Sequence, residues 1–238
     1  MTGPVLVTGA SQGIGRAVAA TLAAAGHAVL NLDRTAPAVP IGTFIAVDLS
    51  DRAATAAVLE RVVRDHAPTR LVNNVGIVRP AGVEEQTVAD LEAVMDLNVR
   101  VAIQCAEAVL PAMRAAGFGR IVNISSRAAL GKELRTAYAA SKAALHGLVK
   151  TWALELGPAG ITVNAVSPGP IATELFRRVN PDNSPRTAAI REAIPVRRMG
   201  EPEDIANAVA FFLAAESGFV TGQVLHVCGG MTVAGIGG

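Results

Sequence analysis

The 238-residue sequence predicts a single doubly wound α/β domain, a parallel sheet with helices on both faces. Three observations carry that expectation. Short β-branched runs alternate with alanine-rich stretches along the chain, a rhythm that yields right-handed crossovers and a sheet covered on both sides. Hydrophobic residues make up 51 % and charged residues 17 %, which is too apolar and too weakly charged for a disordered chain. No shift of composition and no internal repeat marks a boundary, so residues 1–238 read as one domain. A chain of this length hides roughly 70–75 % of its unfolded surface, enough for a sizeable core.

The elements follow in order. Val5–Thr8 is apolar and reads as the first strand; a glycine-punctuated turn leads into a helix over about 13–25 that Gly26 ends. Further strands are expected at 28–32, 43–47, 70–73, 119–124, 161–166 and 223–227, and helices near 52–66, 87–116, 136–157 and 202–215. Thr87-x-x-Asp90 has the capping-box pattern at the start of the long helix, and Pro202 after Glu201 suits a first helical position. The segment 171–199, with Pro181, Asp182, Asn183, Ser184 and Pro185, reads as irregular; insertions of that length are functional lids or disordered, and a lid over the substrate is expected here.

Composition excludes several function classes. With 21 basic and 20 acidic residues the net charge is +1, which removes a whole-molecule electrostatic case for nucleic acid or an anionic membrane. Mean hydropathy is high at +0.40. Even so, the uncharged stretch 217–238 contains seven glycines, and no run reaches the ~20 apolar residues that span a bilayer. The first arginine is Arg16, so no basic leader is seen and a cytoplasmic location is expected. Cys105 and Cys228 make no disulfide framework, and no CxxC or HExxH spacing suggests a metal. His226 and Cys228, flanking one residue of a predicted strand, read as core side chains.

The first chemical signal is Thr8-Gly9-Ala10-Ser11-Gln12-Gly13-Ile14-Gly15, with a G-x3-G-x-G spacing in place of G-x-G-x-x-G. The physics is shared: glycines allow a tight turn and close backbone approach, and the helix N-terminus offers free N–H groups to a pyrophosphate. Asp33 follows 24 residues after Gly9, where a carboxylate can accept from an adenosine ribose. S-adenosylmethionine enzymes use the same devices, so these residues alone do not decide. The second signal is Tyr138, the only tyrosine, with Lys142 four residues on, hence on one helical face. A neighbouring cation favours phenolate, so the Tyr138 pKa is expected below its usual ~10. Ser125 stands thirteen residues earlier, at the end of a predicted strand and so at the ligand-facing edge of the sheet.

Together these residues make the sequence resemble the short-chain dehydrogenase/reductase family over nearly its whole length. The matching motifs are Thr8-Gly9-x-x-x-Gly13-Ile14-Gly15, Asn73-Asn74-Val75-Gly76, Asn98, Ser125, Tyr138-x-x-x-Lys142 and Pro168-Gly169-x-x-x-Thr173. The resemblance implies a Rossmann-type fold and NAD(P)(H)-dependent oxidation of alcohols or reduction of ketones. It implies that Tyr138 is the acid/base, that Ser125 polarises the carbonyl, that Lys142 holds the nicotinamide ribose, and that Asn98 supports a water relay. Ser11, Gln12 and the glycine turn would hold the pyrophosphate; Asp33 and Arg34 the ribose; Asp48 and Leu49 the adenine; and Asn74 with Gly76 would line the cleft. Pro168, Gly169, Ile171 and Thr173 would meet the carboxamide end. Val75, where the family usually has alanine, is a departure that removes no catalytic group.

The expected function is hydride transfer between nicotinamide and a secondary alcohol or ketone, by an enzyme the family suggests is a homotetramer. A 3-oxoacyl thioester reductase using NADPH is the alternative within the class, and a dinucleotide-sensing regulatory protein the alternative outside it; a sensor has no need of an acid/base set. NAD(H) is expected to be preferred, because a 2′-phosphate meets like charge at Asp33; Arg34 and Arg16 keep NADP(H) as the alternative. Arg127, two residues beyond Ser125, is aimed either at a substrate carboxylate or phosphate or at Glu133.

Overall fold

The strands alternate their side chains between two apolar layers, and that alternation builds the molecule. From β1 (Val5–Thr8), Leu6 packs with Leu30, Leu32, Leu71 and Ile121 in one layer, while Val5 and Val7 pack with Val29, Val72 and Val122 in the other. Each fully buried aliphatic side chain contributes about 1.5–3 kcal/mol of transfer free energy. The computed structural model describes residues 3–181 and 183–233.

Six more strands complete the sheet: β2 (Val29–Asp33), β3 (Thr43–Ala46), β4 (Arg70–Asn73), β5 (Gly119–Ile124), β6 (Ile161–Pro168) and β7 (Val224–Val227), in the order β3-β2-β1-β4-β5-β6-β7. Every neighbouring pair is parallel. The layer of Leu6 lies under α2 (Arg52–His66), α4 (Val101–Ala116) and α5 (Thr136–Leu156); the layer of Val7 lies under α1 (Gly13–Ala24) and α8 (Pro202–Leu213). The expected doubly wound α/β architecture is therefore the one observed. Strand order reverses between β1 and β4, so their carboxyl ends open a crevice.

Two local differences from the sequence reading affect the site. The stretch 87–116 is not one helix: α3 (Val88–Met95) passes into a wide π-turn over Asp96–Arg100 before α4 begins. The reason is Asn98, whose side chain accepts from Ile77 N (2.8 Å) and donates to Ile77 O (3.0 Å), pairing with a backbone that no strand satisfies. The segment 171–199 is not irregular either, since it contains α6 (Glu174–Val179) and α7 (Pro185–Glu192), capped by the Thr173 and Ser184 hydroxyls. Those two caps are legible beside Glu174 and Pro185, but the clustered proline, aspartate and asparagine obscured them. At the Thr87 cap, the hydroxyl accepts from Asp90 N (3.1 Å) and lies 2.7 Å from the Asp90 carboxylate.

Candidate active site

A deep cleft runs across the carboxyl ends of β1, β4 and β5, and its two ends have different chemistry. At one end lies the start of α1. Gln12 at its N-cap makes no side-chain capping bond, no acidic residue occupies the first turn, and the first helical bond runs from Arg16 N to Gln12 O. The N–H groups of Gly13, Ile14 and Gly15 thus have no helical partner, which suits an anion. The turn needs its glycines: Gly9 and Gly13 have φ of +70° and +55°, and a Cβ on Gly15 would stand 2.1 Å from Gly9 O and 2.5 Å from Asn74 Nδ2.

Side chains behind this turn hold its shape. Thr8 Oγ1 accepts from Asn74 N (3.0 Å) and Val75 N (3.1 Å), while Asn74 Nδ2 donates to Thr8 O (2.9 Å) and Gly9 O (3.0 Å). Asn31 accepts from Ala10 N (3.0 Å) and donates to Ser11 Oγ (3.0 Å). Ser11 therefore stands behind the cleft wall, and its N–H donates to Asp33 Oδ2 (3.1 Å). Thr35 N donates to the other oxygen of Asp33 (3.3 Å), which orients the carboxylate at the cleft edge with lone pairs to spare. The sequence motif includes Thr8 but not Asn31, and a polar residue within the apolar run Val29–Leu32 was the available signal for the latter.

The other predicted cofactor positions also meet at the cleft. Arg34 lines it, and its charge helps to lower the Asp48 pKa, after the larger effect of hydrogen bonds from the Ser50 hydroxyl and N–H. Arg16 is turned away and donates to Val39 O (3.0 Å). Leu49 is buried on the wall and its carbonyl accepts from Arg100 (2.8 Å). Gly169 passes so close to β7 that a Cβ would lie 2.7 Å from Cys228 Cα, and Pro168 ends β6 beside it. The Ile171 backbone bridges to Gly200, and the Thr173 side chain reaches within 3.5 Å of where a Gly13 Cβ would stand, so the α6 segment meets the glycine turn.

At the opposite end two adjacent serines differ in what they face. Ile121, Asn123 and Ser125 fall on the same face of β5 by its two-residue period, and α5 covers that face. Ser125 is buried with its hydroxyl donating to Lys142 O (3.0 Å) and 2.8 Å from His146 Nε2. The neighbouring Ser126, beyond the end of the strand, is half-exposed in the cleft beside Tyr138, and its hydroxyl pulls the Tyr138 pKa down. Both serines line the cleft, but the Ser125 hydroxyl is engaged with Lys142 O and His146 under the helix while that of Ser126 is half-exposed, which favours Ser126 as the donor at the reacting end. The alternation Ile121, Asn123, Ser125 was the signal that could have found Ser126.

Tyr138 and Lys142 do share one face of α5. The ammonium lies 5.7 Å from the centre of the Tyr138 ring and donates to Ile124 O at 2.7 Å, so it is spent on a carbonyl and not on the phenol oxygen. Burial accordingly raises the Tyr138 pKa, with Ser126 and Arg135 pulling the other way, against the lowering expected from sequence. Burial lowers Lys142 to about 8. Asn98 also donates to Ser141 Oγ (3.0 Å), which donates to Tyr138 O (2.8 Å), tying the π-turn to the start of α5. A Cβ on Gly76 would sit 3.0 Å from Asn98 Oδ1 and 3.4 Å from Lys142 Nζ, so the missing side chain leaves a gap between the two. Arg127 makes no ion pair with Glu133 among the described residues.

Comparisons with known proteins agree on one group. A family profile described as enoyl-(acyl carrier protein) reductase matches residues 9–232. The short-chain reductase protein NovJ of Streptomyces niveus is 39 % identical over 94 % of this chain and 92 % of its own. The 3-oxoacyl-[acyl-carrier-protein] reductase FabG of Escherichia coli is 37 % identical over 95 % and 96 %. The crystal structure of a protein described as an NAD(P)-dependent gluconate 5-dehydrogenase from Beutenbergia cavernae, with bound NADP, superposes with a TM-score of 0.89 at 34 % identity, covering 98 % of both chains.

Proposed function

The chain belongs to the short-chain dehydrogenase/reductase family and is an NAD(P)-dependent oxidoreductase, and on that premise we propose that it interconverts a secondary alcohol and a ketone with Tyr138 as the acid/base. The observation that carries this reading is the meeting of Ser126, Tyr138 and Lys142 at one end of a cleft whose other end is an uncapped helix N-terminus. A bound nicotinamide supplies the hydride in reduction and accepts it in oxidation. Everything else is the work of the chain. The Ser126 hydroxyl donates to the carbonyl oxygen, stabilising the charge that develops there, and Tyr138 delivers the proton. The Lys142 ammonium, released from Ile124 O, meets ribose hydroxyls and draws the Tyr138 pKa down, offsetting the desolvation that raises it. The gap left by Gly76 between Asn98 and Lys142 is suited to a relay of protons toward solvent.

Gly9, Gln12, Gly13, Ile14 and Gly15 take the pyrophosphate, Asp48 and Leu49 the adenine, Asn74 and Gly76 the cleft floor, and Pro168, Gly169, Ile171 and Thr173 the carboxamide end. Ser11 acts through Asp33, which reads the ribose and favours NAD(H) over NADP(H); the withdrawal of Arg16 to Val39 O supports that preference. Arg34 lines the cleft beside Asp33 and is the guanidinium placed to meet a 2′-phosphate. Residues 171–199 form the substrate lid. A homotetramer built on α4 and α5 is part of the reading, supported by exposed Ile103 and Leu154 on those helices. The free thiols of Cys105 and Cys228 suit a reducing, cytoplasmic location. The second reading, reduction of 3-oxoacyl thioesters, is favoured by the likeness to FabG.

The test is a panel of ketones, alcohols and thioesters assayed with both cofactors, beside Tyr138→Phe. Turnover is expected to fall about 100- to 10,000-fold in the variant, with cofactor affinity kept. A Tyr138→Phe enzyme with near-normal turnover would remove the mechanism.

A further inference from the structure

The reacting end of the cleft is ringed by cations that the hydride chemistry does not use. Arg127 comes from the 3-10 turn Arg127–Leu130 that follows Ser126. Lys132 and Arg135 come from the loop into α5, whose path is set by Gly131 (φ +111°) and Leu134 (φ +57°) and which ends three residues before Tyr138. Arg186 comes from the facing wall, in the first turn of α7. All four line the cleft together with Ser126 and Tyr138.

None of the four forms an ion pair among the described residues, whereas Arg52, Arg79, Arg100, Arg177 and Arg198 each pair with a carboxylate. Glu174 lines the same cleft without pairing to any of them. Among the described residues, the only hydrogen bond from the group's charged ends runs from Arg135 to Leu134 O at 2.8 Å. All four line one cleft, where like charges repel one another. Lys132 has its pKa lowered first by burial and then by Arg135, Arg127 and Arg186 in turn. Four like charges gathered from two walls raise the free energy of the empty cleft, and an anion bound among them relieves that repulsion. Guanidinium forks also match a carboxylate or phosphate through paired bonds.

We propose that Arg127, Lys132, Arg135 and Arg186 form a subsite for an anionic group on the substrate, so that the enzyme selects a small ketone or alcohol bearing a carboxylate or phosphate. This rests on the reading of Tyr138 as the acid/base, since it places the anion beside the reacting carbonyl. It also gives α7 a role, since a substrate anion held by Arg127 on the fixed wall and Arg186 on α7 draws the two walls together.

The experiment compares wild type with Arg127→Gln and Arg186→Gln on matched pairs, 4-oxopentanoate against its methyl ester and dihydroxyacetone phosphate against dihydroxyacetone. Wild type is expected to favour the anionic member of at least one pair by about 10- to 100-fold in kcat/KM. Each variant is expected to shrink that ratio about tenfold, through KM, with Arg127→Lys recovering part of it; the pair that responds tells carboxylate from phosphate. Equal use of charged and neutral members by wild type, ratios unchanged in the variants, or a preference seen only with a protein-bound acyl thioester would each overturn the proposal. Turnover of the neutral ketones alone would leave the oxidoreductase reading intact. If no ketone is turned over, that reading fails by itself, and the subsite is read, with the α1 N-terminus already saturated by ADP, from the rise in Tm given by malonate or phosphate over chloride at equal ionic strength. Loss of that rise in the Arg127→Gln/Arg186→Gln double variant supports the subsite, and its absence in wild type or persistence in the variant overturns it.

Discussion

Ser125 and Ser126 offer adjacent perturbations with opposite expected signatures. In Ser126→Ala the cleft loses the half-exposed hydroxyl beside Tyr138, and with it the proposed donor to a developing oxyanion. Loss of such a donor costs about 100- to 1,000-fold in kcat. Because Ser126 is only half-buried and also caps the turn at Ala128 N (3.1 Å), the stability cost is that of a short cap, about 1 kcal/mol. In Ser125→Ala the hydroxyl lost is 2 % exposed, and Lys142 O and His146 are left without it. An unsatisfied buried partner costs about 1–3 kcal/mol, which in a domain of this size lowers Tm by about 2–12 °C. Its effect on kcat should stay within about tenfold, since the hydroxyl faces the helix. The assay is kcat with one good ketone, read beside a thermal melt. An inactive but thermally normal Ser125→Ala enzyme, paired with an active Ser126→Ala enzyme, would refute the strand-polarity argument and return the role to Ser125.

Three further outcomes are expected. Asp33→Ala should shift the NAD/NADP ratio of kcat/KM toward NADP by at least about tenfold; an unchanged ratio would show that Asp33 does not read the ribose. Gly15→Ala places a Cβ 2.1 Å from Gly9 O, so both Tm and cofactor affinity, measured by melt and by fluorescence titration, should fall, and a variant binding normally would contradict the packing of the turn. Lys142 has a folded pKa of about 8 against about 10.4 in the unfolded chain, so between those values the unfolded state binds more protons and stability from this residue rises with pH. Melts of the cofactor-free protein should therefore show wild type gaining on Lys142→Met from pH 8 to 10; parallel curves would mean that the ammonium is not desolvated.

The sequence by itself determined the fold class, because strands of a parallel sheet buried on both faces are rich in apolar β-branched residues and their crossovers are helices, and the runs at 5–8, 28–32 and 161–166 alternating with alanine-rich stretches show this. It also determined the glycine turn and the pairing of Tyr138 with Lys142, since a tight turn and an i, i+4 spacing are local geometry. Which side of the sheet a residue faces at a strand's end is settled only by the layers that pack on it, so Ser125 and Ser126 could be told apart only by α5. The π-turn at Asn98 depends on the unpaired backbone of Ile77, twenty-one residues away in the chain, and no window of sequence contains both. The tertiary structure alone decided the electrostatics as well. Whether Lys142 lowers the Tyr138 pKa depends on where its ammonium points, and Ile124 O holds it; whether Arg127 is neutralised by Glu133 depends on the path of the loop between them. That path leaves Arg127 on one cleft with Lys132, Arg135 and Arg186, a gathering of charge from sites up to 59 residues apart that only folding creates.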